Sequence, residues 1–476
     1  MRAEPKAVKR IAIAGGGFSG TLVLANLVDR VPAGTIIDVF EASGNFGLGL
    51  AYATPDPGHL LNVPAGRMGA FAPDHFLQWL LTEAGTAAVT SVGPGLVPEA
   101  TSYLPRALYG LYLKHILAAA LERAERRGVG INLVRGRVIR AGKDAKTAVI
   151  HLRVEMQGHR HEQVCDALVL ATGNRPPSQA ETSSWAHRCR AYIADPWAAL
   201  KTPRLAGALK RFSQRHTVVI LGSGLTAVDI ALSLARLGFK GKTIALSRHG
   251  LLPSVHSVSA QAPWTWRVSP NDVAPTAVAV FRWLKNETRL AGPAWRSVVD
   301  ALRPLTLQLW QRLSAVEQRR LLRRHTLWSV HRHRMAPEIA AILGQLIAAG
   351  RLEVVAANAI FITRRYAGLR VHFRRRYATT SEEIKAALVF NGTGPDYRLQ
   401  SDSLLHWLDA HALVRPEPNR LGLVLNDDGS VCSAFDKQLF AIGAPLFGSL
   451  FETTAVPELR EQAKMIAEHV TAVISN

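Results

Sequence analysis

The stretch Arg10-Ile-Ala-Ile-Ala-Gly-Gly-Gly-Phe-Ser-Gly20 combines a short apolar strand, a glycine turn and the start of a helix. Gly15, Gly17 and Gly20 occupy the three glycine positions of the pattern G-x-G-x-x-G. In that pattern the first glycine allows a tight turn, the second lets a pyrophosphate approach the backbone, and the third lets the helix pack close to the strand. Because the positive end of the helix then points at the phosphates, the stretch predicts a dinucleotide site.

The residues that follow the turn favour the same interpretation. A helix is predicted over Thr21 to Asp29, followed by the strand Thr35-Ile-Ile-Asp-Val-Phe-Glu41. Glu41 ends that strand, where an acid that holds a ribose hydroxyl is expected. The alternative is a glycine-rich loop in an ordinary βαβ unit, but the turn, helix, strand and acid agree on dinucleotide binding.

A second signature lies at Val218-Val-Ile-Leu-Gly-Ser-Gly-Leu-Thr-Ala227, which is again typical of strand, turn and helix. Gly222, Gly224 and the final alanine of this stretch form G-x-G-x-x-A. The next strand ends at Ser247 without an acid, and Arg248 follows it. Arg248 either accepts the 2′-phosphate of NADPH or only stacks on adenine, so NADH and NADPH both stay open. Two signatures predict two bound dinucleotides.

Bulk composition limits the class of protein. The 476 residues are 48% hydrophobic and 20% charged, which suits more than one packed domain. The chain has three cysteines, Cys165, Cys189 and Cys432, and none lies near another in sequence. We therefore expect neither a C-x-x-C redox pair nor a metal site, and a reducing compartment is the default. The first apolar run is broken by the glycine turn, and no run reaches the roughly 18 residues of a membrane helix, so a cytoplasmic location without membrane insertion is predicted.

The formal net charge of +21 has two interpretations. It indicates either a polyanion partner or an arginine-rich enzyme whose basic surface attracts anionic cofactors and substrates. Basic clusters occur at residues 319–325, 331–334 and 374–376, but they alternate with apolar residues and no nucleic-acid motif accompanies them. We therefore expect no nucleic-acid partner.

Several further segments carry a family resemblance. They are Gly47-Leu-Gly-Leu-Ala-Tyr52, His59-Leu-Leu-Asn-Val-Pro-Ala65, Pro105-Arg106 with Tyr109-Gly110, Ala171-Thr-Gly-Asn174, Tyr192-Ile-Ala-Asp-Pro-Trp197 and Glu452-Thr-Thr-Ala-Val-Pro-Glu-Leu-Arg460. These segments resemble a bacterial FAD/NAD(P)-binding family that includes FAD-dependent urate hydroxylases and amino-acid N-monooxygenases of the aspartate-oxidising kind. The resemblance runs along most of the chain and is weakest over residues 261–335. Disulfide reductases share the two-dinucleotide arrangement but need a cysteine pair, which this chain lacks.

The resemblance implies two sets of cofactor-binding residues. Those for FAD are Gly15, Gly17, Ser19, Gly20, Glu41, Asn62, Thr172, Gly173, Gly443, Thr453, Thr454, Ala455 and Val456. Those for NADH or NADPH are Gly222, Ser223, Gly224, Thr226 and Arg248. For each polar member an ordinary turn or cap is the alternative role. No catalytic acid or base is predicted; His59 is either a proton shuttle or a structural histidine.

The predicted fold class is α/β, with two Rossmann-like dinucleotide-binding domains and a helical insertion. The FAD domain is predicted over residues 1–200, the inserted NAD(P)H domain over 201–385 with helices at about 261–335, and the return to the FAD domain over 386–476. The strand Ala387-Leu-Val-Phe390, which leads into Asn391-Gly-Thr-Gly394, is interpreted as that return. Glycine and proline predict a loop without helix from Gly47 to Ala65.

The leading functional hypothesis is an FAD-dependent monooxygenase that uses NAD(P)H and O₂. The resemblance favours urate as substrate, giving 5-hydroxyisourate in purine degradation, with Arg106 either holding the urate anion or serving as a surface arginine. The alternative within this class is N-hydroxylation of an amino acid or amine. A flavin reductase or redox sensor that inserts no oxygen is the alternative of another class. The sequence predicts no oligomeric state.

Overall fold

The computed structural model describes residues 8–144, 149–178, 185, 189–259, 261–365 and 368–475. The chain divides into two compact units. Unit 1 comprises Met1–Ala53, Val63–Arg175 and Tyr397–Asn476, and unit 2 comprises Thr54–Asn62 and Pro176–Asp396. Both units are built from strands and helices in alternation, which is the predicted α/β class.

Strands and helices are numbered in chain order across the described residues. The strands are β1 Arg10–Ala14, β2 Ile36–Phe40, β3 Gly130–Val134, β4 Arg137–Lys143, β5 Ile150–Met156, β6 His159–Cys165, β7 Ala167–Leu170, β8 Tyr192–Ile193, β9 Thr217–Leu221, β10 Lys242–Ser247, β11 Leu352–Arg365, β12 Gly368–Arg375, β13 Glu382–Ala386, β14 Leu388–Asn391 and β15 Leu439–Ala441. The helices are α1 Phe18–Val28, α2 Gly49–Tyr52, α3 His75–Leu80, α4 Glu83–Val92, α5 Arg106–Arg126, α6 Pro196–Leu200, α7 Pro203–Arg211, α8 Leu225–Arg236, α9 Ala277–Ala291, α10 Trp295–Leu302, α11 Thr306–Arg312, α12 Ala315–Leu322, α13 His325–Arg332, α14 Pro337–Ala348, α15 Ser403–Ala410, α16 Phe447–Leu450 and α17 Val456–Ser475.

Unit 1 is organised around a parallel sheet in the order β15-β7-β1-β2-β3. All four residues of β7 are buried, as expected for a parallel strand covered on both faces. Helix α1 connects β1 to β2 and packs beside α5 and α17. A separate antiparallel sheet, β4-β5-β6, shares an apolar core with α15. The carboxyl ends of the five parallel strands therefore meet at one edge, where ligands of such sheets bind.

Unit 2 contains a mixed sheet in the order β13-β12-β11-β10-β9-β14-β8. Strands β8, β14, β9, β10 and the first part of β11 run parallel. The second part of β11 pairs antiparallel with β12, and β12 pairs antiparallel with β13. Helices α9 to α13 follow β10, which agrees with the helical insertion predicted at 261–335.

Two sequence-based interpretations are wrong. Strand β14 hydrogen-bonds with β9 and β8, so it belongs to the sheet of unit 2 and is not the return to the first domain. The chain re-enters unit 1 only at Tyr397. The segment predicted as a loop from Gly47 to Ala65 contains the short helix α2. The assignment of FAD binding to residues 1–200 and 386–476, and of NAD(P)H binding to residues 201–385, stays a prediction.

No helix in the described part of the chain is both long enough and apolar enough to cross a membrane.

A buried carboxylate ties three strands of the first sheet together. Asp38, in the middle of β2, has a side chain only 2% exposed. It accepts hydrogen bonds from Arg10 Nη1 at 2.7 Å and from Asn132 Nδ2 at 2.7 Å. Asn132 lies directly opposite Asp38 in the pairing of β2 with β3. The charge is compensated where it is buried, as a buried carboxylate requires.

We expect Asp38→Ala to lower the free energy of unfolding by about 2–4 kcal/mol, because both donors lose a buried, charged acceptor. Chemical denaturation of the two proteins measures the difference. The matched control is Asp29→Ala, since Asp29 pairs with Arg123 at 3.1 Å but its side chain is 47% exposed. The control loss is expected to stay below about 1 kcal/mol. Equal losses for the two variants would contradict a special role of Asp38.

Candidate functional site

The first glycine turn has no room for side chains. Gly15 follows β1 with φ +118°, and a Cβ added there would lie 2.1 Å from the carbonyl oxygen of Ala171. A Cβ added at Gly20 would lie 1.9 Å from the carbonyl oxygen of Gly15. Gly17 is the N-cap of α1. The predicted roles of these glycines in turn formation and close packing therefore match the geometry of the backbone.

Glu41 and Thr172 lie at the same edge of the sheet as this turn, after β2 and β7. Glu41 Oε2 accepts a hydrogen bond from the Gly16 amide at 3.2 Å, and its Oε1 accepts one from the Ser43 amide at 3.0 Å. Thr172 Oγ1 is shielded from solvent and has no hydrogen-bond partner in the structure. The next residue, Gly173, has φ +69° and open space around it. An unpartnered hydroxyl at a sheet edge leaves room for a polar ligand.

The last part of unit 1 brings Gly443 to the same turn. A Cβ added at Gly443 would lie 3.6 Å from Ser19 Oγ, so these two predicted residues lie side by side. The Gly443 amide donates to Gln462 Oε1 at 3.0 Å, and Gln462 Nε2 donates to Thr453 Oγ1 at 2.9 Å. Gln462 thereby fixes the loop before α17; it was not predicted, because a helical glutamine has no motif of its own.

The rest of that loop divides by exposure. Thr453 is 1% exposed and Val456 is buried, whereas Thr454 is exposed and Ala455 is half-buried. Of the predicted group at 453–456, the exposed hydroxyl of Thr454 is therefore the one that can meet a ligand, while Thr453 is occupied within the loop.

The second glycine turn repeats the geometry of the first. Gly222 follows β9 with φ +100°, and a Cβ added there would lie 2.5 Å from the carbonyl oxygen of Gly392. Gly392 follows β14 as Ala171 follows β7, so the two sheets use the same close approach. Gly224 is the N-cap of α8 at φ −76°, and no heavy atom lies within 4 Å of an added Cβ. The helix end beside Gly224 is open to an anionic ligand.

The other residues predicted for the second site differ in their freedom to bind. Ser223 Oγ is 2.6 Å from the carbonyl oxygen of Leu251 and 2.7 Å from Ser247 Oγ, so its side chain fixes the loop after β10. Thr226 lies half-buried on α8. Arg248 is exposed, and its Nη2 donates to Thr326 Oγ1 at 3.3 Å. An exposed guanidinium held by one weak bond can still turn to a phosphate.

The segment Thr54–Asn62 belongs to unit 2. His59 is 2% exposed, and both ring nitrogens are engaged, Nδ1 with Thr54 Oγ1 at 2.8 Å and Nε2 with Ser233 Oγ at 2.8 Å. Asp56 accepts from Ser233 Oγ and from Arg236 Nη2, each at 2.8 Å. Burial acts to raise the pKa of Asp56, but the Ser233 hydroxyl and the nearby cations lower it overall. This geometry supports the structural role for His59, since the ring is buried and both nitrogens are hydrogen-bonded to side chains of unit 2, so neither is directed at a ligand.

Asn62 is bound through its backbone in this structure. Its carbonyl oxygen accepts a hydrogen bond from His256 Nε2 at 2.9 Å. Burial and the charge of Arg334 lower the pKa of His256 from 6.5 to about 4. His256 is therefore neutral at pH 7, with its proton on Nε2 directed at Asn62. No sequence pattern predicts this pair, because its members lie far apart in the chain.

Buried aromatic residues line α5 in unit 1. Tyr109 stacks at a tilt on Tyr52, with ring centroids 4.6 Å apart, and on Phe18, the first residue of α1, at 6.1 Å. The Tyr109 hydroxyl donates to the Met68 carbonyl at 2.7 Å. Burial raises the pKa of Tyr52 to about 12, with the charge of Arg106 opposing it. These phenols stay protonated at neutral pH, and Arg106 is a partly buried residue beside them instead of a free surface arginine.

The comparisons with known proteins agree with this architecture. Residues 12–175 match a family model described as FAD-NAD(P)-binding. This match covers the first glycine turn and the strand that ends at Leu170. A comparison with curated proteins found no match.

Solved structures of N-hydroxylating enzymes resemble the chain over almost its full length. The ornithine N-hydroxylase of Kutzneria sp. 744, in complex with reduced FAD, NADP⁺ and L-ornithine, is 14% identical, with 97% of this chain and 98% of that chain covered and a TM-score of 0.62. The reduced ornithine hydroxylase of Pseudomonas aeruginosa is 13% identical, with 98% and 99% covered and a TM-score of 0.64. The FAD-bound cadaverine monooxygenase of Erwinia amylovora is 13% identical, with 99% and 95% covered and a TM-score of 0.56. At these identities the likeness establishes the fold, and the predicted fold class is confirmed.

We expect Gly224→Asp to abolish NAD(P)H oxidation while leaving FAD bound, because the new carboxylate would occupy and repel the pyrophosphate position without a clash in the protein. Flavin absorbance and NADPH titration measure the two effects. Gly207→Asp is the matched control, since Gly207 also lies in unit 2 with no heavy atom within 4 Å of an added Cβ. Equal loss of FAD and NADPH binding in Gly224→Asp would refute the two-site interpretation.

We expect His256 to make folding sensitive to acid. Because burial lowers its pKa from the ordinary 6.5 to about 4, between these pH values the imidazole is protonated in the unfolded chain and neutral in the folded chain. The free energy of unfolding therefore falls as the pH drops through this window. His256→Gln keeps an N–H donor for Asn62 but does not titrate, so it should lose less stability. Parallel stability–pH curves for the two proteins would disprove the assignment.

Proposed function

We propose that this protein is an FAD-dependent monooxygenase that consumes NAD(P)H and O₂ and N-hydroxylates a small amine or amino acid. The observation that carries the proposal is the presence of two glycine turns of the same geometry, one in each unit. A flavoprotein that only senses redox state needs one dinucleotide site, whereas a monooxygenase needs a resident flavin and an exchanging nicotinamide. The fold shared with N-hydroxylating enzymes over nearly the whole chain supports the same reaction class.

The residues of unit 1 fit FAD. The turn from Gly15 to Gly20 gives backbone amides and a helix end for the pyrophosphate. Glu41 lies where the adenosine ribose is held in this pattern, and the unpartnered Thr172 hydroxyl needs a polar ligand atom. Gly443 and Thr454 add the second helix start at the same edge. When bound, FAD supplies hydride acceptance and O₂ activation, which no side chain provides.

The residues of unit 2 fit a nicotinamide dinucleotide. Gly224 leaves the start of α8 open to the pyrophosphate. Ser223 positions the following loop through Leu251, so its backbone amide instead of its hydroxyl faces the ligand. Arg248 is the candidate contact for a 2′-phosphate, and Thr226 lies in the first turn of α8.

The proposed reaction balances as R–NH₂ + O₂ + NAD(P)H + H⁺ → R–NHOH + H₂O + NAD(P)⁺. One oxygen atom enters the N–H bond of the amine and the other leaves as water, with two electrons supplied by the nicotinamide. Amine nitrogen is a nucleophile only when unprotonated, so the site has to accept or create the neutral amine. The protein's part is binding, orientation and exclusion of water.

The comparisons favour this reaction over the urate hydroxylation that the sequence resemblance suggested. The solved structures that share this fold include enzymes named for ornithine, lysine and cadaverine. Urate hydroxylation therefore becomes the second candidate. The residue proposed to hold urate, Arg106, lies partly buried beside Tyr52, which favours a packing role.

A thiol-based reductase finds no support in the cysteines. Cys165 and Cys189 are buried and Cys432 is half-buried, and all three are free thiols. Burial and the neighbouring carboxylates raise the pKa of Cys165 far above its usual range, so its thiolate is not available. Since thiolate is the reactive form, Cys165 is not a candidate for the sulfur chemistry that such enzymes use.

We expect the purified yellow protein to oxidise NADPH or NADH faster when an accepted amine is present. The panel is L-ornithine, L-lysine, cadaverine, L-aspartate and urate, with isotopically labelled O₂ to follow the oxygen atom into the product. Comparing the two nicotinamides tests the role of Arg248. A hydroxylamine that carries one labelled oxygen supports the proposal. Turnover stimulated by urate alone would replace it with the second candidate, and turnover only with artificial acceptors would favour a reductase.

A further inference from the structure

A compact cationic cluster lies in unit 2, where the loop that follows β10 meets α10, the end of α13 and the residues just before α14. This loop begins at Leu251, which Ser223 holds beside the second glycine turn. It then runs parallel to the chain before α14: the Met335 amide donates to the Ser254 carbonyl at 2.9 Å, and the His256 amide donates to the Met335 carbonyl at 3.0 Å. These bonds hold His256 and Arg334 next to each other on a loop that starts from the carboxyl edge of the sheet, the edge where ligands of open α/β sheets bind.

Arg334 is the centre of the cluster. Its side chain is only 3% exposed. Its Nη2 donates to Asp300 Oδ1, while its Nε is buried and has no hydrogen-bond partner among the residues that the structure describes. Burying a guanidinium with an unused donor costs folding free energy, because arginine stays charged and each of its five N–H groups requires an acceptor. Asp300 itself is 47% exposed, so the cluster opens to solvent on this side.

A second guanidinium, that of Arg296, adds to the same field. Its Nε donates to the Val255 carbonyl at 2.7 Å, and it lies over the ring of Trp295 at 4.6 Å. Burial and the charge of Arg334 lower the pKa of Arg296, because the two guanidinium groups lie close together. Asp300 provides the single carboxylate that these positions share, on the same helix as Arg296 and one turn away.

Two neutral histidines complete the surroundings. His256 faces Arg334, Arg296 and Asp300, and His331 accepts or donates at Ser254 Oγ across 3.2 Å. Burial and the charge of Arg296 lower the pKa of His331 as well. Burial and the nearby cations thus favour the uncharged form of both imidazoles. His256 already donates its proton to Asn62, whereas His331 can offer an Nε2–H to an oxyanion when its Nδ1 accepts from Ser254.

We infer that this group, which we call the Arg334 cluster (His256, Arg296, Asp300, His331 and Arg334), binds the carboxylate of the substrate. Two guanidinium groups facing one carboxylate leave a net positive charge, and a guanidinium fork matches a carboxylate better than any other common anion except phosphate. Asp300 already shows the kind of group that Arg334 accepts. That the bound carboxylate belongs to the substrate rests on the proposed function, whereas the existence of a carboxylate site does not.

A cofactor phosphate is the weaker choice of ligand. The pyrophosphate position is at Gly222 to Gly224 and the start of α8, and a 2′-phosphate has its own contact in Arg248 at the end of β10. The Arg334 cluster uses His256 from further along the loop after β10 and residues of α10, α13 and the chain before α14, which the dinucleotide pattern does not involve. In terms of the proposed reaction, the cluster selects amino acids over simple amines.

The test uses succinate as a carboxylate probe and isothermal titration of the FAD-loaded full chain. Wild type should bind succinate with NADP⁺ present at saturation, and Arg296→Gln should bind at least about tenfold more weakly, a difference of about 1.4 kcal/mol. Arg323→Gln removes the same charge from an exposed site in the same helical region and should leave binding unchanged. Asp300→Asn removes the competing carboxylate and should tighten binding, whereas a purely structural ion pair would only lose stability.

The outcomes separate the inference from the proposed function. Equal binding by wild type and Arg296→Gln, weaker binding by Asp300→Asn, or no succinate binding at all would overturn the carboxylate site. Competition between succinate and NADP⁺ would assign the cluster to the cofactor instead. Cluster-dependent succinate binding without turnover of any amine would keep the site and remove only the N-hydroxylase. Preference for L-lysine over cadaverine, its decarboxylated form, that disappears in Arg296→Gln would support both.

Discussion

Each unit depends on one glycine that has no Cβ atom, Gly15 in unit 1 and Gly222 in unit 2. At Gly15 and at Gly222 the position of a Cβ is taken by the carbonyl group that follows a neighbouring strand. Neither position tolerates even alanine, since both also require positive φ. In return, strand end, turn and neighbouring strand end come together at one point. The pyrophosphate positions proposed for the two cofactors lie at these points, because the turns expose backbone amides and a helix start that side chains would otherwise cover.

The sequence was informative where the determining contacts are local. The order of strand, glycine turn, helix and strand at both signatures was predictable, since glycine spacing and apolar runs act within about thirty residues. Polar edge strands were not predictable: most residues of β6 and β13 are exposed, so no apolar alternation marks them. The sheet membership of β14 was also beyond reach. Its sequence suits either sheet, and only its hydrogen bonds with β9 decide between them.

The same reasoning explains which site residues were found. The glycines, Glu41 and Arg248 follow strands in a known pattern and could be located from the sequence. Gln462 and the Arg334 cluster could not, because their partners lie tens to hundreds of residues away and no motif connects them. The burial of His59 likewise depends on Ser233, which contributes from α8. Sequence reasoning thus locates glycine turns that follow strands, and it misses clusters of side chains that come together from distant parts of the chain.

The segment Thr54–Asn62 has a consequence for how this protein is made. It leaves the ribosome early, between two parts of unit 1, yet its partners Ser233 and Arg236 are synthesised much later. Unit 1 in turn waits for β15 and α17, which come after the last residue of unit 2. Neither unit is a continuous piece of chain, so neither can be cut out whole or completed first during synthesis. Because the segments of the two units alternate along the chain, the ribosome also synthesises them in alternation.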